Sequence, residues 1–307
     1  MKNIALIFPG QGAQKVGMGK ELYDAVPEAK AVFEKANEVL GINLTDIIFN
    51  GPEQTLTLTA NCQPAIFTMS MAALAAFRVS EHFKGVDVKY TAGLSLGEYS
   101  ALCAAGVLSF EDALRLIQKR GMCMEECVSQ NPGKMAAVIG FDKDRLIDIC
   151  RETGSEVANF NAPDQIVISG YADKVAKAVE IITIAGCRKV IPLDVSGAFH
   201  SSLMQSAADK FVMALKDVVF TPGSIKVITN VTGRPQETSE EIRSNLSKQI
   251  VSSVQWVETI HYIASNGIVD CVEIGPGKVL KGLIRKIDPA INVLNCQTPQ
   301  DLSALVF

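Results

Sequence analysis

A serine held between two glycines, Gly93-Leu94-Ser95-Leu96-Gly97, follows an apolar run and opens a helical one. That placement restricts the fold more than any other feature of the chain. A serine on a sharp strand-to-helix turn has a crowded backbone, and glycine on each side relieves the crowding. Such an elbow needs a strand ending in the middle of a sheet and a helix starting above it. The surrounding pattern agrees. Short β-like runs at 4–8, 90–92, 226–229 and 269–274 each lead into a glycine-containing turn, with helical patterns at 64–77, 98–105 and 111–128 between them. Strands alternating with helices predict an α/β body with a largely parallel sheet.

The middle of the chain reads differently. Four short β-like runs at 133–140, 157–160, 165–170 and 187–193 enclose helical stretches at 143–153 and 172–185. That βαββαβ order is the split unit of a ferredoxin-like α+β subdomain. The expected organisation is a large body from residues 1–131 and 195–307, interrupted by a small insert at 132–194.

On the elbow, Ser95 is placed as a nucleophile, and the first amides and positive dipole end of the following helix face any developing oxyanion. A nucleophilic serine needs a base, and the chain has only three histidines. His82 reads as a surface residue at a helix end and His261 as a packing histidine within a helix. His200 stands in a Gly/Ser-rich loop, Ser196-Gly197-Ala198-Phe199-His200-Ser201-Ser202, directly after a strand. That is where an α/β fold places chemistry. The acid that would orient His200 stays open among Asp164, Asp194 and a carbonyl or amide. The loop Phe8-Pro9-Gly10-Gln11-Gly12-Ala13-Gln14 fails both phosphate-binding templates, since Lys15 stands where a third glycine belongs and Met18 follows Gly17. It reads better as a second oxyanion donor beside the elbow. Arg120 lies on an otherwise apolar helix and is either a surface arginine or a buried fork for a carboxylate. Asn159, Asn161 and Gln165 surround a turn, as turn formers or as polar groups facing a substrate, and Asn161 is carried as a substrate-binding candidate.

Composition removes other classes. The 29 Lys+Arg against 33 Asp+Glu give a net charge of −4, which provides no general basic field for nucleic acid. The eight cysteines are scattered without a CxxC, and no histidine completes a zinc signature, so neither a metal nor a redox cofactor is expected. Reduced core thiols suggest the cytoplasm. The most apolar stretch, 64–77, falls short of the ~20 residues a bilayer requires, and the N-terminus lacks a signal-peptide pattern.

Eight segments together carry a specific resemblance: FPGQGAQKVGMG, NCQPAIF, GLSLGEYSAL, KRGMCM, GKMAAVIG, ANFNAPDQIVISG, GAFHSSLM, and SSVQW with VEIGPGKVL. In this order the chain resembles the malonyl-CoA:acyl carrier protein transacylase family along almost its whole length. The resemblance implies an α/β-hydrolase-like body with the ferredoxin-like insert. It implies transfer of a malonyl group from malonyl-CoA to the phosphopantetheine thiol of an acidic acyl carrier protein, in fatty acid biosynthesis, by a monomer without cofactor. Ser95 would carry the acyl group and His200 would be its base. The amides of Gln11 and Leu96 would form the oxyanion hole. Arg120 would hold the malonyl carboxylate, the Gln249 carbonyl would orient His200, and Phe199 would favour malonyl over methylmalonyl. One departure stands out, since the family usually has histidine where this chain has Leu94. Acyltransferases serving polyketide synthases resemble that variant, and a serine thioesterase or hydrolase is the alternative on shared architecture. Arg188, Lys189, Lys278, Lys281, Arg285 and Lys286 are the candidate basic patch for the carrier.

Overall fold

The computed structural model describes residues 1–195 and 197–307. Ser196, in the loop before His200, lies outside the described residues. Ten strands form two sheets. The chain order is β1 (Lys2–Phe8), β2 (Val86–Gly93), β3 (Lys134–Ile139), β4 (Glu156–Ala162), β5 (Gln165–Gly170), β6 (Lys189–Pro192), β7 (Lys226–Ile228), β8 (Pro235–Gln236), β9 (Asp270–Ile274) and β10 (Asn292–Cys296). The larger sheet runs β10-β9-β1-β2-β7-β8 and is parallel except for β8. From Ile4 to Phe8 its central strand β1 is an unbroken apolar run, because both faces are covered there. Ile4, Leu6 and Phe8 enter one core, and Ala5 and Ile7 enter the other.

The first core is built around the helix Thr59–Val79. The apolar run at 64–77 gains a turn at its start and a residue pair at its end, giving 21 residues, which is long and apolar enough to span a bilayer. Yet 83% of its most apolar window is buried inside the protein. Beside it lies the helix Phe110–Gln130, and the two approach closely at Gly121, where a Cβ would stand 3.1 Å from the Ala60 Cα and from the Thr59 carbonyl oxygen.

The second sheet, β4-β5-β3-β6, is antiparallel throughout. The helices Lys143–Thr153 and Ala172–Ile184 cover one face, packing on Ala136, Val138, Ile166 and Ile168. The other face turns Met135, Ala137 and Val167 toward the large core. This two-sided burial explains why GKMAAVIG reads as a continuous apolar run. β4 is also stitched to the body. The Phe160 N–H donates to the Val254 carbonyl at 2.9 Å, and the Val254 N–H donates to the Ala158 carbonyl at 2.8 Å.

Several elements departed from expectation. β10, β8 and the four helices between Lys20 and Thr57 had no reading in the sequence. The strand expected at 187–193 shrinks to Lys189–Pro192. His261 is exposed on the helix Trp256–Ser265 rather than packed, because its neighbours Ile260 and Ile263 occupy the inward face. His82 is half-buried in a short 3-10 turn.

The elbow rests on backbone packed against backbone. A Cβ on Gly93 would lie 2.0 Å from the Gly97 carbonyl carbon, and one on Gly97 would lie 2.2 Å from the Phe8 carbonyl oxygen. No side-chain rearrangement relieves either contact. Gly93→Ala should therefore destabilise the protein by about 1–3 kcal/mol or more and displace the serine. Thermal unfolding checks this, and an unchanged melting temperature would show that the turn can shift freely.

Candidate active site

Two non-glycine residues among those described have positive φ, and they are Ser95 at 53° and His200 at 57°. Such strain persists only where the surroundings overdetermine it, and it gathers at functional sites. For Ser95 the restraint is Asn230. Its Oδ1 accepts from the Ser95 N–H at 2.5 Å, and its Nδ2 donates to the Gly93 carbonyl at 2.6 Å. Asn230 stands just after β7 and had drawn no notice in the sequence.

The imidazole of His200 sits between two partners. Nε2 is 2.8 Å from Ser95 Oγ, and Nδ1 is 2.9 Å from the Gln249 carbonyl oxygen. A carbonyl can only accept, so Nδ1 carries the proton and Nε2 is left to receive the serine's. The open question of the orienting group thus falls to a carbonyl. Asp164 lies in the β4–β5 turn, 3.3 Å from Lys286, and Asp194 is exposed on the cavity rim. Burial first, and the positive charge of Arg120 second, pull the His200 pKa from 6.5 to about 4. The base is therefore neutral and ready at neutral pH.

Arg120 is not a surface arginine, being only 1% exposed. The Gly121 contact brings its helix against Gln63, whose Oε1 accepts from Nη1 at 2.8 Å. Nη2 donates to Ser95 Oγ and to Gln249 Oε1, both at 3.1 Å. Burial lowers its pKa from the ordinary value. Gln63 and the Gln249 side chain are parts of this arrangement that sequence reading did not assign. The NCQPAIF segment was legible as a motif, while its glutamine carried no chemical signal of its own.

A cavity of about 310 Å³ opens above these groups, with Met135, Asn159 and Val167 of the second sheet on its far side. Ser95, His200, Arg120, Gln11, Leu96, Phe199 and Asn161 all line it, as does Leu94. Gln249 stands behind the wall and is 1% exposed. Among the described residues, the main-chain N–H groups of Gln11 and Leu96 have no hydrogen-bond partner. The Asn161 Oδ1 is likewise unpartnered there. Among the described residues no group of three His, Cys, Asp or Glu is placed to hold a metal. All eight cysteines are free, and burial pushes the Cys103 thiol, just beyond the elbow, up to about 12. A serine within reach of a neutral base, two vacant amides and a buried cation are the parts of an acyl-transfer site.

Comparison with known proteins agrees with that chemistry. The family model described as acyl transferase domain matches residues 5–294. A malonyl CoA-acyl carrier protein transacylase of Bacillus subtilis is 42% identical over 311 residues, covering 100% of this chain and 97% of its own. Among solved structures, an acyl-carrier-protein-S-malonyltransferase from Bartonella henselae superposes with a TM-score of 0.93 at 43% identity, covering 99% of this chain and 98% of its own. A malonyl-transacylase solved in complex with a type II PKS acyl-carrier protein superposes at 0.94 with 36% identity, covering 99% and 98%.

Titration of the His200 imidazole followed by NMR should give a midpoint near 4, well below the ordinary 6.5. Reactivity of Ser95 should accordingly persist as pH falls through 6 and fail only as His200 protonates. A midpoint at or above 6.5 would mean that the imidazole is neither desolvated nor under the influence of Arg120.

Proposed function

We propose, from the premise that the chain belongs to the acyl transferase domain family and within it to the malonyl-CoA:acyl carrier protein transacylases, that Ser95, His200 and Arg120 transfer a malonyl group from malonyl-CoA to the phosphopantetheine thiol of an acyl carrier protein. The observation that carries this residue assignment is the 3.1 Å separation of a buried guanidinium from the nucleophilic oxygen. In a malonyl ester of Ser95 the free carboxylate lies two carbons beyond the ester oxygen, within reach of a cation so placed. Three N–H bonds of the two terminal nitrogens go to Gln63, Gln249 and Ser95. Acylation releases the third, which leaves one N–H on each nitrogen for the carboxylate.

The steps follow from the donors and acceptors. His200 Nε2 takes the Ser95 proton as Oγ attacks the thioester carbonyl, and the N–H groups of Gln11 and Leu96 receive the oxyanion. The C–S bond breaks, and the coenzyme A sulfur leaves with the proton from the imidazolium. In the second half His200 accepts the carrier thiol's proton, the thiolate attacks the ester, and the C–Oγ bond breaks with return of the proton to Ser95. No step calls for a metal or redox cofactor. Gln249 holds the imidazole through its carbonyl. Phe199 narrows the cavity against branched acyl groups, where one methyl is worth only ~1–3 kcal/mol. Asn161, which lines the cavity, contacts the substrate.

Our reading extends to the wider setting. The body at 1–131 and 195–307 is α/β-hydrolase-like, and the βαββαβ unit at 132–194 is ferredoxin-like. The protein acts as a monomer in the cytoplasm and supplies fatty acid synthesis. The carrier docks on the exposed face of the helix Val279–Ile287, where Lys281 and Arg285 are free while Lys286 is engaged with Asp164. The relative complexed with a polyketide carrier gives a second reading of the pathway.

Intact mass after mixing with malonyl-CoA should show one malonyl adduct, absent in Ser95→Ala and discharged by holo-acyl carrier protein. Release of malonate equally fast without a carrier would indicate a hydrolase. Arg120→Ala should erase the preference for malonyl over acetyl, because an unpaired buried charge costs ~3–5 kcal/mol and acetyl leaves it unpaired in the native protein. A preserved preference would remove Arg120 from this role. Reversal of charge at Lys281 and Arg285 should weaken carrier binding and flatten its salt dependence.

A further inference from the structure

Glu98 is wholly buried, three residues beyond the nucleophile in the first turn of the helix Gly97–Ala104. A carboxylate there is unexpected, since charged side chains are buried only when their partners are buried with them. Every partner it has is a donor. Its Oε2 accepts from the Asn230 N–H at 3.0 Å and from Gln249 Nε2 at 2.7 Å, and its Oε1 accepts from Gln236 Nε2 at 3.1 Å. Burial raises its pKa, and these three donors, with the Thr229 hydroxyl as a fourth, oppose that shift.

The bond to Gln249 has a directional consequence. Gln249 Nε2 also donates to the Ser95 carbonyl at 3.1 Å, so both of its hydrogens are committed. Oε1 is therefore turned to Arg120 Nη2, 3.1 Å away. A flipped amide would set its oxygen against a carboxylate and a carbonyl, and its NH2 against a guanidinium. The same residue's main-chain carbonyl anchors His200. Glu98, together with the Ser95 carbonyl, thus fixes the side-chain amide on which the cation depends, in the residue whose main chain holds the base.

We infer that Glu98 is a positioning residue for acyl-group selectivity, acting through Gln249 to aim the Arg120 guanidinium beside Ser95. The inference rests on the reading of Arg120 as the malonyl carboxylate's partner. Glu98 touches neither Ser95 Oγ nor the cavity, so its effect reaches the substrate through the neighbours it holds: selectivity through Gln249 beside Arg120, and the placing of Ser95 itself, common to both substrates, through Asn230.

The test is Glu98→Gln in the full-length protein. An amide at 98 presents NH2 to one of its donor neighbours, and Gln249 is then free to flip. Acylation of Ser95 by malonyl-CoA and by acetyl-CoA would be compared by intact mass, with KM and kcat separated and Arg120→Ala run alongside. Loss of one hydrogen bond to a charged group predicts a fall of roughly tenfold in the malonyl-to-acetyl ratio, expressed mainly in KM for malonyl-CoA. An equal loss for both substrates, with the ratio unchanged, would overturn the inference and leave Glu98 a purely structural residue. If Glu98→Gln does not fold, Glu98→Asp keeps the charge and withdraws it by one methylene. Its ratio should lie between wild type and Arg120→Ala, and a wild-type ratio would overturn the inference. Failure of the underlying reading looks different, because wild type and Arg120→Ala would then show the same ratio before any variant at 98 is considered.

Discussion

A positive charge taken out of water, within hydrogen-bond reach of a serine oxygen, is the constraint around which this molecule is arranged. An isolated buried guanidinium costs far more than a domain's net stability, so its surroundings must replace the lost solvent. Gln63 and Gln249 supply the acceptors, and Glu98 holds the Gln249 amide from behind. The helix carrying Arg120 must approach the helix carrying Gln63 more closely than a side chain at 121 would permit. Burial first, and this cation second, hold the neighbouring imidazole's pKa down. The same charge that reaches the Ser95 oxygen therefore also acts on the imidazole beside it.

The remaining geometry comes from backbone packed on backbone. Gly93, Gly97 and Phe8 meet with no room for a Cβ, which fixes the elbow against the end of β1. Asn230 holds the strained serine from the β7 side. The second sheet forms the opposite wall of the cavity, and its strand β4 is hydrogen-bonded to Val254, five residues beyond Gln249. Wall and base support belong to one short stretch of chain.

What could be read from the sequence depended on how local the cause was. The helix at 143–153 was placed to the residue, because Asp142 caps it and a glycine ends it. Ser95 and His200 were visible because strand, turn and helix patterns surround them. The orienting group of His200 was beyond residue-type reasoning, since every residue carries a carbonyl, and only the family resemblance pointed to Gln249. Burial was the second blind spot. Arg120 fitted two environments equally well, and nothing local to Glu98 marks it as buried, because what covers it arrives from the β7 end, β8 and the helix Ser239–Gln249. β10 lacked the continuous apolar run of the other strands, having asparagine at its first and fourth positions.

The contact that seats the Gly10–Gln14 loop on the elbow has a consequence for position 94. A Cβ on Gly10 would meet the main-chain oxygen of Leu94 at 2.3 Å, ahead of anything on its side chain. The loop therefore rests on an atom that every amino acid possesses. The leucine side chain lines the cavity and packs at the edge of the second core. Position 94 is a place where the lining of the chamber can be exchanged, histidine for leucine or the reverse, while the machinery beneath keeps its form.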